Sequence, residues 1–175
     1  MVTMTSILST GSKCAVAAVF AAALALLGSP TMSVRAEERS PVIDVRTGDP
    51  EMNAAIAQAR STLQAFWASY QAPKPSETGH SLKVRFPYGS NSGEHIWMAE
   101  VKKVGDISYS GQFANAPVHL RGKRAGDVVE FTQADISDWM FLRNGKIVGG
   151  ETIKPMLKRM TKADADALRA RMESP

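Results

Sequence analysis

The chain has 175 residues, of which 44% are hydrophobic, 22% charged and 7% aromatic, with a single cysteine and a formal charge of +4. That composition excludes a disordered chain, a collagen-like repeat and a disulfide scaffold. Part of the hydrophobic fraction is concentrated in one block without any charge, Cys14 to Leu27, and the remainder is enough for one domain with one core.

The amino terminus reads as an address. Met1 to Lys13 is polar with one positive charge, the apolar run Cys14 to Leu27 follows, and Gly28-Ser29-Pro30 breaks any helix. Val34-Arg35-Ala36 places small or β-branched side chains at the −3 and −1 positions of a signal peptidase site, so residues 1–36 are expected to leave as a signal peptide. The run is too short for a bilayer, which needs about 20 apolar residues. Cleavage removes the only cysteine, and the loss of Lys13 and Arg35 takes the formal charge from +4 to +2. The mature chain would then have no thiol chemistry, and so small a charge gives no reason to invoke nucleic acid or an anionic membrane.

Residues 37–48 have mixed charge and no period, which predicts a tether. Asp49-Pro50-Glu51 is a helix start, with an N-cap acceptor, a proline at N1 and an acid in the first turn. Met52, Ile56, Ala59, Leu63, Phe66, Trp67 and Tyr70 follow at three- and four-residue steps, predicting one long amphipathic helix that ends before Pro73 and Pro75. After a polar loop (Ser76 to Ser81), Leu82, Val84, Phe86 and Tyr88 alternate with polar residues as a half-buried strand. Pro87 puts that strand at an edge or marks its end. Gly89 to Gly93 is turn chemistry, and Glu94 to Val104 returns with apolar side chains on both faces, Ile96 and Met98 against Trp97 and Val101. A third strand covers Ile107 to Phe113, completing a meander. The segment 115–126, with Pro117, His119 and the basic run Arg121-Gly122-Lys123-Arg124, is a loop, and Asp127 to Thr132 is a strand. Asn144-Gly145 between two apolar runs is a strong hairpin signal, and Thr161 with Asp164 resembles a capping box that opens a final helix.

The chemistry-bearing residues are sparse. His80, His95 and His119 lack the close spacing of metal ligands, no Gly-x-Ser-x-Gly elbow occurs, and no phosphate-binding loop follows Gly149-Gly150. No metal and no cofactor is therefore expected. Glu94, Glu100, Asp135, Asp138 and Glu151 could serve a hydrolase, but nothing in the sequence pairs them. The segment Ile136 to Met140 is the most informative. Asp138 can fix a turn by accepting backbone N–H bonds ahead of a packed Trp139; alternatively, Trp97, Asp138 and Trp139 together form a contact site.

Several of these segments occur in an order that resembles the YegJ-like family of uncharacterised bacterial proteins: Asp49 to Met52 with Leu63 to Phe66, Lys83 to Phe86, Gly93 to Trp97, Asn115 to Pro117, Ile136 to Trp139 and Gly149 to Ile153. The resemblance implies neither an established reaction nor catalytic residues. Asp138-Trp139 followed by Gly149-Gly150-Glu151-Thr152 is also similar to predicted bacterial toxin-immunity domains, which points to binding a protein. The combined expectation is an α+β domain over residues 49–175, with a long N-terminal helix packed on an antiparallel sheet of about five or six strands and a short C-terminal helix. Its expected role is an exported, periplasmic or secreted, non-enzymatic binding or inhibitor-like module. Its partner would be a protein or an envelope component, with no nucleic acid and no stable membrane insertion after cleavage. A periplasmic hydrolase is the competing expectation.

Overall fold

The computed structural model describes residues 49–90 and 92–173. The expected signal peptide and tether lie outside them. The elements are α1 (Pro50–Ser61), α2 (Leu63–Gln71), β1 (Glu77–Tyr88), β2 (Ser92–Lys103), β3 (Ser108–Phe113), β4 (Val128–Thr132), a 3-10 turn (Gln133–Asp135), β5 (Ile136–Arg143), β6 (Lys146–Gly149), α3 (Ile153–Leu157) and α4 (Lys162–Arg171). The fold is α+β, with one six-stranded sheet in the order β4-β3-β2-β1-β5-β6 and every pairing antiparallel. No helix among the described residues is long and apolar enough to cross a membrane.

Where a single long helix was expected, the chain makes two consecutive ones. Asp49 caps α1 as its sequence suggests, accepting from the N–H groups of Glu51 and Met52. The break falls at Thr62, whose hydroxyl donates back to the carbonyls of Gln58 and Ala59. A threonine bonded to preceding carbonyls competes with the helical ladder and bends it. The apolar stripe survives the bend: Met52, Ala59, Leu63 and Phe66 are buried, with Trp67 and Tyr70 packed beside them.

The polar segment 76–81 is likewise not a loop beyond Ser76, because β1 begins at Glu77. Glu77 and Thr78 pair with Arg143 and Leu142 of β5, and a register shift around Gly79 (φ +64°) lets the strand continue into Leu82. Long-range pairing has overridden local polarity here. Pro87 is explained by the ladder, since pairing with β5 stops at Val84 and Pro87 has a strand on one side only.

One face of the sheet carries the core. Leu82, Val84, Ile96, Met98, Phe113, Phe131, Trp139 and Phe141 meet Ala59, Leu63 and Phe66 of the two helices. Val101 joins this face only because β2 bulges between Ala99 and Lys102, with Glu100 at φ +49°; strict alternation would have turned it outward. Asn144 and Gly145 both have positive φ, the backbone of the I′ hairpin turn that their sequence signals. Gly149, at φ +81°, has no room for a side chain, since a Cβ there would stand 2.5 Å from the Trp139 carbonyl oxygen. The edge of β6 is covered by the chain end, where Ile147 bridges Met172 and its carbonyl accepts from the Glu173 N–H. Thr161 caps α4, accepting from the Asp164 N–H and donating to its carboxylate.

Candidate functional site

The three residues singled out in the sequence do not converge. Trp139 lies on the core face, 4% exposed, with its indole N–H donating to the Ala59 carbonyl at 2.9 Å beside the Thr62 break. Asp138 and Trp97 lie on the opposite face, where Lys83 of β1 pairs with both of their positions. The structure thus brings Trp97 and Asp138 to the two sides of Lys83 and turns Trp139 away from them.

A bulge in β5 makes this centre. Lys83 pairs with Asp138 and Val84 with Ile136, so Ser137 is an extra residue and both Ser137 and Asp138 reach the outer face. Asp138, 1% exposed, accepts four bonds: from the N–H groups of Trp139 (2.8 Å), Glu151 (3.2 Å) and Thr152 (2.8 Å), and from the Thr152 hydroxyl (2.6 Å). Lys83 Nζ donates to the Thr152 hydroxyl at 3.1 Å and stands 5.5 Å from the Trp97 ring centroid. Burial pushes the Asp138 carboxyl up, against the lowering effect of these donors and of Lys83, while burial pushes the Lys83 ammonium down. Asp138 therefore ties the turn after β6 to the bulge in β5. All its strong acceptor positions are in use, and Thr152 beside it is buried.

Ser137 donates to the Lys83 carbonyl and bonds His95 Nδ1 at 2.9 Å. With Ser137 fully buried, this pair offers no accessible nucleophile. His95 is otherwise exposed, with its Nδ1 edge turned into the serine. Desolvation, followed by the charges of Lys83, Arg85 and Arg60, pushes its imidazole down to about 4. By proton NMR the His95 ring should titrate near that value, well below the ordinary 6.5 or so. The folded value lies below the unfolded one, so the corresponding stability is complete above about pH 6.5 and is lost as pH falls toward 4. Arg85→Gln should raise the midpoint; a parent midpoint of about 6.5 would refute the cationic environment.

A second polar constellation joins α2 to β1. Ser69 Oγ lies 2.8 Å from Glu77 Oε2 and 2.8 Å from His80 Nε2, and Arg143 donates to Glu77. Ser69 holds the Glu77 carboxyl below its usual range. In a nucleophilic relay the carboxylate orients the histidine. Here the carboxylate binds the serine itself, so the cluster fastens the helix to the strand without activating a nucleophile.

An open groove lies elsewhere, at the end of the core face that the helices leave uncovered. The segment between Phe113 and Asp127 leaves and rejoins the sheet through paired backbone bonds: the Phe113 N–H donates to the Asp127 carbonyl and the Gly126 N–H to the Phe113 carbonyl. Its middle is held down by Glu94, whose carboxylate accepts from the Val118 N–H (2.7 Å) and the His119 N–H (2.9 Å). Between this loop and the sheet is a groove of about 630 Å³ with Phe86, Phe113, Leu120 and Val129 along its floor. Its rim carries Arg121, Lys123 and Glu130 together with His119, the last stacked on Tyr88 at 4.3 Å. The basic loop was legible in sequence, but the groove was not. The one signal for it was that Phe86 and Tyr88 carry the apolar alternation past the end of β1's pairing with β5.

A family model described as "Uncharacterized protein conserved in bacteria (DUF2314)" matches residues 49–172. Among curated proteins, the uncharacterized protein YegJ of Escherichia coli is 37% identical over 122 residues, covering 69% of this chain and 76% of that protein. A putative ankyrin repeat protein of Neisseria meningitidis serogroup B is 30% identical over 132 residues, covering 71% of this chain, which spans about half (52%) of that relative. No solved structure matches the chain. The matched span opens at the Asp49 cap and closes at the Met172 bridge, so it takes in the whole sheet, the Asp138 centre and the groove loop: the chain belongs to the DUF2314 family of bacterial proteins.

Proposed function

We propose that this chain is an exported binding module of the bacterial cell envelope, which acts by holding a partner and not by transforming a substrate. The observation that carries the reading is a contrast between its two kinds of polar residue. The groups with chemical potential, Asp138, Thr152, Ser137, Ser69 and Glu77, are buried and bonded to one another or to backbone. The groove, by contrast, sets the half-buried Phe86 and Tyr88 beside the exposed Arg121, Lys123 and Glu130, a mixture of aromatic and charged groups that favours contact sites. Export rests on the leader-like residues 1–36 and the Val34-Arg35-Ala36 site.

Two measurements test the reading. Mass spectrometry of the protein from its native host should find the amino terminus at Glu37; an intact Met1 would refute export. A photo-crosslinking amino acid at position 118, where Val118 is 58% exposed beside the groove, should give a discrete adduct in living cells. Failure to give any adduct would refute binding at this face.

A further inference from the structure

We infer that the cavity between α2 and the β2–β3 hairpin binds a neutral saccharide, with one sugar ring laid against the indole of Trp67. This cavity shares no lining residue with the groove under the basic loop, and saccharide binding here does not depend on the partner proposed there. It measures about 520 Å³, within the roughly 300–1,000 Å³ of small-molecule sites. The first observation is an aromatic platform. Phe131, Tyr109 and Trp67 form a stacked column, with successive ring centroids 5.9 and 4.8 Å apart. Phe131 and Tyr109 are buried, and the half-buried Trp67 ends the column at the cavity wall. A flat apolar surface held from behind in this way takes the C–H face of a sugar ring or another flat ring.

The second observation is the kind of polar group around that ring. Within α2, Gln64, Trp67 and Gln71 are spaced three and four residues apart and so share one helix face. Both glutamines are exposed, and their side-chain amides have no hydrogen-bond partner among the described residues. Gln133 also lines the cavity, and only its Oε1 is engaged, by the Tyr109 hydroxyl at 3.4 Å. An amide presents donors and an acceptor together, the complement of a hydroxyl group that both donates and accepts. A flat aromatic ligand would fill the platform and leave these amides unused. The third observation is charge. Lys103 and Asp106 put one charge of each sign on the hairpin wall, and Arg60 spends its Nε and one Nη on the carbonyls of Ile136 (2.8 Å) and Ala134 (3.0 Å). The lining therefore recognises through amides, which favours hydroxyls over a carboxylate or a phosphate. Its walls are already fastened together, by the Tyr70 hydroxyl donating to the Val101 carbonyl and by Trp67 on Tyr109, so binding requires little ordering.

The test uses the protein in its natural processed form, purified from its host. Maltotriose, cellotriose and triacetylchitotriose are the neutral probes, with adenosine and benzoate as flat-ring controls. At least one trisaccharide should bind with a Kd of about 1 mM or tighter, read by saturation-transfer NMR on its ring C–H protons and by a shift of the Trp67 indole resonance. Raising salt from about 50 to about 500 mM should leave that affinity within about twofold, because the recognition is not ionic. Trp67→Ala should weaken binding about tenfold or more. That change also removes packing from Tyr109, so a second variant combines Gln64→Ala with Gln71→Ala. At these exposed positions the melting temperature should stay that of the parent while affinity falls about fivefold or more. Trisaccharide binding that survives both variants, or that shifts the Trp97 or Trp139 indole and not Trp67, would overturn the site. Failure of all three trisaccharides, or tighter binding of adenosine or benzoate, would overturn the saccharide class.

Discussion

Replacing Asp138 with alanine should destabilise the domain by about 3–5 kcal/mol, because it strands several buried donors at about 1–3 kcal/mol each. The carboxylate is 1% exposed and serves three backbone N–H groups and the Thr152 hydroxyl. Its loss leaves those donors without an acceptor and leaves the Lys83 ammonium without its counter-charge. Asp138→Asn should cost less, because one amide oxygen still accepts. Adding Lys83→Met to Asp138→Ala should restore part of the loss, since the stranded cation is removed as well. Denaturant melts of the three variants check this. A parent-like stability for Asp138→Ala would refute the anchoring role and reopen a functional one for this carboxylate.

Trp139→Ala should cost about 3–5 kcal/mol, the usual range for deleting a large buried aromatic side chain. The ring is 4% exposed, stacks on Phe141 at 6.0 Å and lies against Phe66 at 6.2 Å, so truncation opens a cavity where the helices meet the sheet. Trp139→Phe keeps most of the volume but removes the indole donor from the Ala59 carbonyl, and should cost about 1–3 kcal/mol. If the two variants lose the same stability, the hydrogen bond and not the packing dominates. A domain of this size has about 5–15 kcal/mol in all, so either alanine variant should also lower the amount of folded protein in cells.

Trp97, Asp138 and Trp139 do not share one surface, for a reason that lies in the backbone. Asp138 and Trp139 are sequence neighbours, Trp97 lies on a different strand, and from sequence alone their contact-prone chemistry could share one surface. Pairing puts Trp139 opposite Leu82 on the core face and Asp138 opposite Lys83 on the other. The bulge at Ser137 then lets two successive polar residues, Ser137 and Asp138, share the outer face, against the strict alternation on which the reading of strands depends. The turn-fixing alternative for Asp138 was within reach because an aspartate before a turn has few better uses. Its actual partners, Glu151 and Thr152, come from the far end of a hairpin and could not be named in advance.

Everything governed by near neighbours was legible in the amino-acid order. The Asp49 cap, the helical stripe from Met52 to Tyr70, the Asn144-Gly145 turn, the Thr161 cap and the alternating strands are each decided within a few residues, where hydrogen-bond reach and side-chain period are fixed by covalent geometry. The remaining features depend on distant partners and came only with the fold. These features are the Trp139 indole bonded to the Ala59 carbonyl, the extension of β1 back to Glu77 by pairing with Arg143, the inward turn of Val101 at a bulge, and the groove under the basic loop. In each case the local preference was weak, and a contact across tens of residues supplied more free energy than the local sequence could set against it.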